Sequence, residues 1–195
     1  MNLNIDLFRI KHNNIAPKQG RILISEPFSM DSFFKRSVVL ITEYNEDGAI
    51  GFILNKSVEL SINEVIEDFP KSNIRITIGG PVSTDTLHYI HSYPSIPNSI
   101  KVLKDVYWGG DFDVIKIMAE TGELNEHNIR FFLGYSGWAP EQLNEEISNN
   151  YWLVSNLNSE IIINGNIYTI WKDSLQKLGQ KYKIWSDFPE NPTLN

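Results

Sequence analysis

Apolar residues run in short blocks along this chain of 195 residues, and their lengths and flanks predict more strands than helices. The clearest pair is Ser37 to Tyr44 and Ala49 to Asn55, joined by Asn45-Glu46-Asp47-Gly48. That spacing predicts an antiparallel hairpin with a four-residue loop and a positive φ at Gly48. Both strands are almost continuously apolar, which predicts a central position covered on two faces. Further strands are expected over Arg21 to Ser25, Arg75 to Ile78, Val102 to Trp108 and Ile129 to Tyr135. Thr86 to Ile90 is expected to partner the strand at 75–78, and Trp152 to Val154 to lie at an edge. Asn164-Gly165 offers a turn between Ile161-Ile162-Ile163 and Ile167-Tyr168.

Helix signals stand between these blocks. Ser61 and Glu64 have the spacing of a capping box and open a short helix through Ile66. Asp111 can cap a helix through Ala119, with Val114, Ile115 and Met118 on one side and Gly122 as its stop. Pro140 at a first-turn position starts another, carrying Leu143 and Ile147. Ile170 to Leu178 is the last, with Gly179 just past it. Met30 to Lys35 reads as a turn of helix or an irregular loop. Residues 1–18 form a lead segment with Leu3, Leu7 and Ile10 on one helical face, and no linker divides 1–195 into two domains. The pattern predicts an α+β, αβα-like fold: a mixed β-sheet with a central antiparallel hairpin, flanked by short helices.

The most informative block is Gly134-Tyr135-Ser136-Gly137-Trp138-Ala139-Pro140-Glu141-Gln142-Leu143. Two glycines around a Ser-Trp pair, then Pro and a helical pattern, predict a strand, a shaped loop and a helix start, with Trp138 buried.

Composition narrows the functional classes. The formal charge of −7 opposes a general phosphate-backbone binder, since counterion release needs clustered Lys and Arg. No basic recognition helix is visible, so direct nucleic-acid binding is not expected. The chain has no cysteine, which excludes disulfides, thiol nucleophiles and thiolate metal sites. Its longest apolar stretch, Val38 to Ile41, is far short of the ~20 residues of a membrane span. Asn4, Asp6 and Arg9 interrupt any signal-peptide pattern, so a soluble cytoplasmic protein is expected.

Several segments, taken in order, resemble one family. Gly20-Arg21-Ile22-Leu23-Ile24-Ser25-Glu26-Pro27, Phe34 to Ile41, Gly48 to Asn55, Gly79-Gly80-Pro81-Val82, the Gly134 block, Glu146, Trp152 and Asn191-Pro192-Thr193-Leu194-Asn195 are similar to the YqgE/AlgH family of bacterial proteins. The resemblance covers nearly everything from Gly20 onward. It implies an α/β fold with a mixed sheet and a family mostly uncharacterised, some members being labelled transcriptional regulators after a genetic link to alginate production. It carries no enzymatic activity, no cofactor and no catalytic residues.

Several residues carry candidate chemistry. Ser136 is a near miss for a hydrolase nucleophile elbow, because the position two after it is Trp138 instead of glycine. All four histidines also precede it in the chain. His88 and His91, three apart on an expected strand, would point to opposite faces, so no metal site is assigned. The glycine pairs 79–80 and 109–110 match no phosphate-binding fingerprint, and Asp111 would repel an anion at the second. Arg36 at the mouth of the first hairpin strand and Asn55 at the exit of its partner share one end of the sheet. Gln142 and Glu146 share a helix face. If that helix abuts the hairpin mouth, Arg36, Asn55, Gly80, Ser136, Trp138, Gln142 and Glu146 line one polar cleft. The structural alternative, an Arg36–Glu146 ion pair with supporting amide bonds, is the favoured of the two. The expectation is a non-enzymatic binding or regulatory module, with no cofactor and an unidentified protein or small-molecule partner. The alternative is a hydrolase-like enzyme using Glu146 as general base in that cleft.

Overall fold

The computed structural model describes residues 11–27, 29, 31 and 33–188. The face expected at Leu3, Leu7 and Ile10 and the closing segment Asn191 to Asn195 lie outside them, as do Met30 and Ser32. Ten strands form one mixed sheet: β1 Ile22–Ser25, β2 Val38–Asn45, β3 Gly48–Ile53, β4 Ser57–Ser61, β5 Arg75–Ile78, β6 Val82–His91, β7 Ile100–Leu103, β8 Val106–Trp108, β9 Ile129–Trp138 and β10 Trp152–Ser155. Six helices accompany them: α1 Ile62–Val65, α2 Phe112–Glu120, α3 Gln142–Ser148, α4 Ser159–Asn164, α5 Ile170–Lys177 and α6 Gln180–Ser186. No helix among the described residues is long and apolar enough to cross a membrane.

The strand order is β10-β1-β2-β3-β9-β6-β8-β7, with β4 and β5 branching from β9. The expected hairpin is β2–β3, in the middle of the sheet. Its side chains alternate between two cores. Val38, Leu40 and Phe52 join Trp171, Leu175 and Trp185 of α5 and α6 on one face. Val39, Ile41 and Ile53 join Trp138, Trp152 and Leu143 on the other. That second face continues across β5, β6 and β9 as a third cluster under α1 and α2. Helices therefore cover both faces, and continuous apolarity is what a strand buried on both sides requires.

Strand β9 carries the architecture. One edge bonds antiparallel to β6 along most of its length. The other edge changes partner. It runs parallel to β5 from Phe131 to Leu133, then antiparallel to β3 from Ser136 to Trp138. Gly79 sits at the fork: its N–H donates to Leu133 O at 2.8 Å, and its carbonyl accepts from Ile53 N–H at 2.9 Å. Backbones approach so closely there that a Cβ on Gly79 would lie 2.2 Å from Gly134 O. One on Gly80 would lie 2.3 Å from the Tyr135 backbone. Gly134 itself is left-handed, with φ 64°. The register with β6 is irregular there, with Val82 opposite Tyr135 and Leu87 opposite Leu133, and the facing of β9 reverses across the left-handed residue. Phe132 and Tyr135, three apart, pack against the same core, while Trp138 is delivered to the opposite one.

Six local expectations are corrected. The Gly134 block is not a loop: β9 runs through it to Trp138, because glycine can take a left-handed φ inside the strand. The strand at 86–90 extends over Val82–His91 and pairs with β9 and β8, since β9 lies between it and β5. Val102 to Trp108 is a hairpin, β7–β8, turning at Asp105 with φ 57°. Ile161 to Ile163 belongs to α4, because Asn158 Oδ1 accepts from Ile161 N–H and starts a helix. The β2–β3 connection is a two-residue turn, with Asn45 still paired to Gly48. Pro140 precedes α3 by two residues, and α6 was not anticipated.

The fork gives a direct stability test. Gly79→Ala and Gly134→Ala should each cost about 3 kcal/mol or more, since a Cβ meets backbone that cannot yield. Gly122→Ala, also left-handed but facing open space, should cost about 1 kcal/mol. Urea denaturation midpoints check both, and equal losses at all three sites would remove the special role of the fork.

Candidate functional site

The reversal at Gly134 places Trp138 over the face that α3 covers. The chain turns through Ala139-Pro140 and a left-handed Glu141, φ 62°, before α3 begins. Gln142 Oε1 accepts from Ala139 N–H at 2.9 Å, tying the turn to the first helical residue. Gln142 Nε2 donates to Glu146 Oε1 at 2.9 Å, one helical turn on. Glu146 Oε2 then accepts two indole N–H bonds, from Trp138 at 2.9 Å and Trp152 at 2.7 Å. The two indoles meet edge to face at 6.1 Å, and Phe34 stacks on Trp138 at 6.2 Å and meets Trp152 edge-on at 5.3 Å. The carboxylate is thus clamped by three N–H donors between nearly buried rings. A charged acceptor strengthens such bonds, and its removal strands two buried indole donors.

The hairpin mouth is closed in a different way. Asn55 Oδ1 accepts from Val38 N–H, and its Nδ2 donates to Arg36 O, both at 2.8 Å. Arg36 is left-handed, φ 53°, and its side chain turns toward α5. Its Nη2 donates to Phe188 O at 2.6 Å, and the guanidinium lies 4.9 Å over the Trp171 ring. Trp171 belongs to the face opposite Trp138 and Trp152. Arg36 and Glu146 therefore serve different cores, and the anticipated ion pair does not form. Ser136, fully buried, donates from Oγ to Gly79 O at 3.0 Å, and Gly80 packs on Tyr135 beside it. The structure brings Trp138, Gln142 and Glu146 together, places Ser136 and Gly80 at the fork, and holds Arg36 and Asn55 at the hairpin mouth. Trp152 and Phe34 were missed as members of the Glu146 cluster. The signal available was Glu146 lying six residues before Trp152, but the sheet order that puts β10 there is not local.

The two strand histidines face apart. His88 packs 5.3 Å from Phe52 and 5.7 Å from Tyr135, and its Nε2 lies 3.0 Å from Thr86 Oγ1. His91 is fully buried and stacks on Tyr107. Its Nε2 is 2.9 Å from Gly109 O, and its Nδ1 accepts from Tyr93 N–H at 3.2 Å. Those contacts select the neutral ring with the proton on Nε2. Burial lowers the pKa of both histidines below the usual value; for His91 it outweighs the Gly109 carbonyl, which favours the charged form. Among the described residues no group of three or more His, Asp or Glu side chains is placed to hold a metal ion.

This geometry can be set beside known proteins. Residues 22–183 match the family described as AlgH-like. A UPF0301 protein of Bacteroides thetaiotaomicron is similar at 46% identity over 196 residues, covering 100% of both chains. One from Cytophaga hutchinsonii is 42% identical over 91% of this chain and 98% of its own. The solution structure of the AlgH protein from Pseudomonas aeruginosa matches with a TM-score of 0.70 at 27% identity, covering 90% of this chain and 97% of that one. A crystal structure from Corynebacterium diphtheriae matches with a TM-score of 0.74 at 22% identity, covering 96% and 100%, and shares the fold.

Two outcomes follow from these contacts. Glu146→Ala should destabilise by about 3 kcal/mol, because two buried indole N–H groups lose their acceptor. Its effect should add to that of Arg36→Ala within about 0.5 kcal/mol in a double-mutant cycle, as for groups in separate networks. A coupling above about 1 kcal/mol would join the two in one cleft. For the histidines, the folded state holds pKa values below the unfolded value of about 6.5, so the unfolded chain takes up protons first as pH falls. Stability should therefore drop between about pH 7 and pH 5, and the drop should be shallower in His88→Leu, read from urea midpoints at each pH.

Proposed function

This chain belongs to the AlgH-like family, and on that premise we propose that it is a non-catalytic binding module that regulates through contacts with a protein or small molecule. The observation that carries this reading is how Ser136 and Glu146 are used. A nucleophilic serine needs a base beside it, and a general base needs a lone pair facing the substrate. Ser136 Oγ is buried against Gly79 O, and Glu146 already accepts three N–H bonds. The hydrolase-like alternative loses support at both residues. The open clefts fit binding better than chemistry. One of them, about 950 Å³ between β4 and the end of α2, mixes Glu59, Lys71, Asn73 and His127.

Regulation without direct DNA reading agrees with the charge of −7, which opposes phosphate-backbone contact. A cytoplasmic location is part of the same proposal. The test is a panel of ester, phosphate-ester and nucleic-acid substrates, run beside a low-salt gel shift. No turnover above buffer and no retarded band are expected. Turnover that disappears in folded Ser136→Ala or Glu146→Gln would overturn the reading.

A further inference from the structure

Arg130 is the most deeply buried guanidinium among the described residues. It points from β9 toward α4 and is only 7% exposed. It donates one hydrogen bond, Nη1 to Ile162 O at 2.9 Å. Among the described residues no carboxylate comes within 4.0 Å of it. Burial pulls its pKa down to about 10, with no acidic neighbour opposing the shift, and the group still carries its full charge at neutral pH. A buried cation without a counter-ion is costly, and capping one carbonyl uses a single one of its five N–H donors.

The remaining face of the guanidinium opens on a cleft of about 510 Å³ between β4, β5 and the α4–α5 connection. Thr77, 5% exposed, shares this cleft and makes no side-chain hydrogen bond among the described residues. Ser57 is its cross-strand partner. Asn166 lines the outer side, and Ile163 and Ile167 supply apolar wall. The volume suits a small ligand. Glu126 stands at the rim with its side chain 68% exposed, 3.9 Å from His127.

We propose that this cleft binds a small oxyanion with an apolar body, its carboxylate or phosphate head seated on the Arg130 fork beside Thr77. A planar guanidinium matches either headgroup with two parallel bonds, whereas an ammonium offers only a point charge. The bound head would supply the missing counter-ion, and the body would lie on Ile163 and Ile167. The site is separate from the Glu146 cluster. Its failure would leave the binding-module reading in place, because that reading rests on Ser136 and Glu146.

Backbone NMR titration of the whole chain with benzoate and, separately, inorganic phosphate tests the site. The expected result is saturable shifts confined to Thr77, Arg130 and residues 163–168. Tighter binding of benzoate assigns a carboxylate with an apolar body, and tighter binding of phosphate assigns a phosphate head. Arg130→Lys should weaken the better probe about tenfold, since it keeps the charge and loses the fork. Thr77→Val, which leaves the cation untouched, should weaken it severalfold with the rest of the spectrum unchanged. The proposal falls if neither probe saturates by about 10 mM. It also falls if both variants bind as the unmodified protein does.

Discussion

A strand edge offers one row of hydrogen-bonding groups, yet the outer edge of β9 serves two strands running in opposite directions. The handover happens across the two residues between Leu133 and Ser136, Gly134 and Tyr135. Backbone must meet backbone there, which is why Gly79, Gly80 and Gly134 come together with no room for a Cβ. The other consequences follow from that constraint. The Gly79 carbonyl takes N–H from Ile53 and O–H from Ser136, so a serine in a suggestive motif becomes part of the sheet. The left-handed step at Gly134 then turns Trp138 to the face where α3 waits with Glu146.

Much of the frame is legible where a local cause suffices. The β2–β3 hairpin follows from two apolar runs and a turn. The Ser61–Glu64 pair closes as spaced, with Glu64 accepting from the Ser61 N–H and hydroxyl. Asp111 caps α2 through Asp113 and Val114. Misreadings arise where a local signal has two outcomes. Glycine marks loops, but between strands pressed together it also permits a left-handed residue within a strand, and β9 takes that course. Three consecutive isoleucines favour a strand until Asn158 offers its side chain to Ile161 N–H. Asp105 gives no glycine signal, so the β7–β8 hairpin looks like one strand.

The candidate site divides along the same line. Gln142 and Glu146 are neighbours because a helix makes them so, and Trp138 follows from the chain turning directly into that helix. Arg36 shares a sheet end with this group, but sharing an end does not fix a face. Its side chain goes to Trp171 and Phe188, a choice made by α5 and α6 packing far along the chain. Trp152 reaches Glu146 only because β10 pairs with β1, a non-local event no spacing encodes.

Polar groups inside this fold are of two kinds, and the contrast between Glu146 and Arg130 separates them. Glu146 is partly exposed and holds three donors, so the carboxylate and its surroundings are mutually satisfied. Arg130 is more deeply buried, carries five donors and spends one. A scaffold needing only to cap α4 gains little from a guanidinium there, since one donor meets the Ile162 carbonyl and desolvating the charge is unfavourable. Thr77 on the same cleft repeats the pattern with a hydroxyl that has no partner among the described residues. Two polar side chains lining one cleft with donors to spare, beside an apolar wall and a volume of small-ligand size, are what an oxyanion would complete.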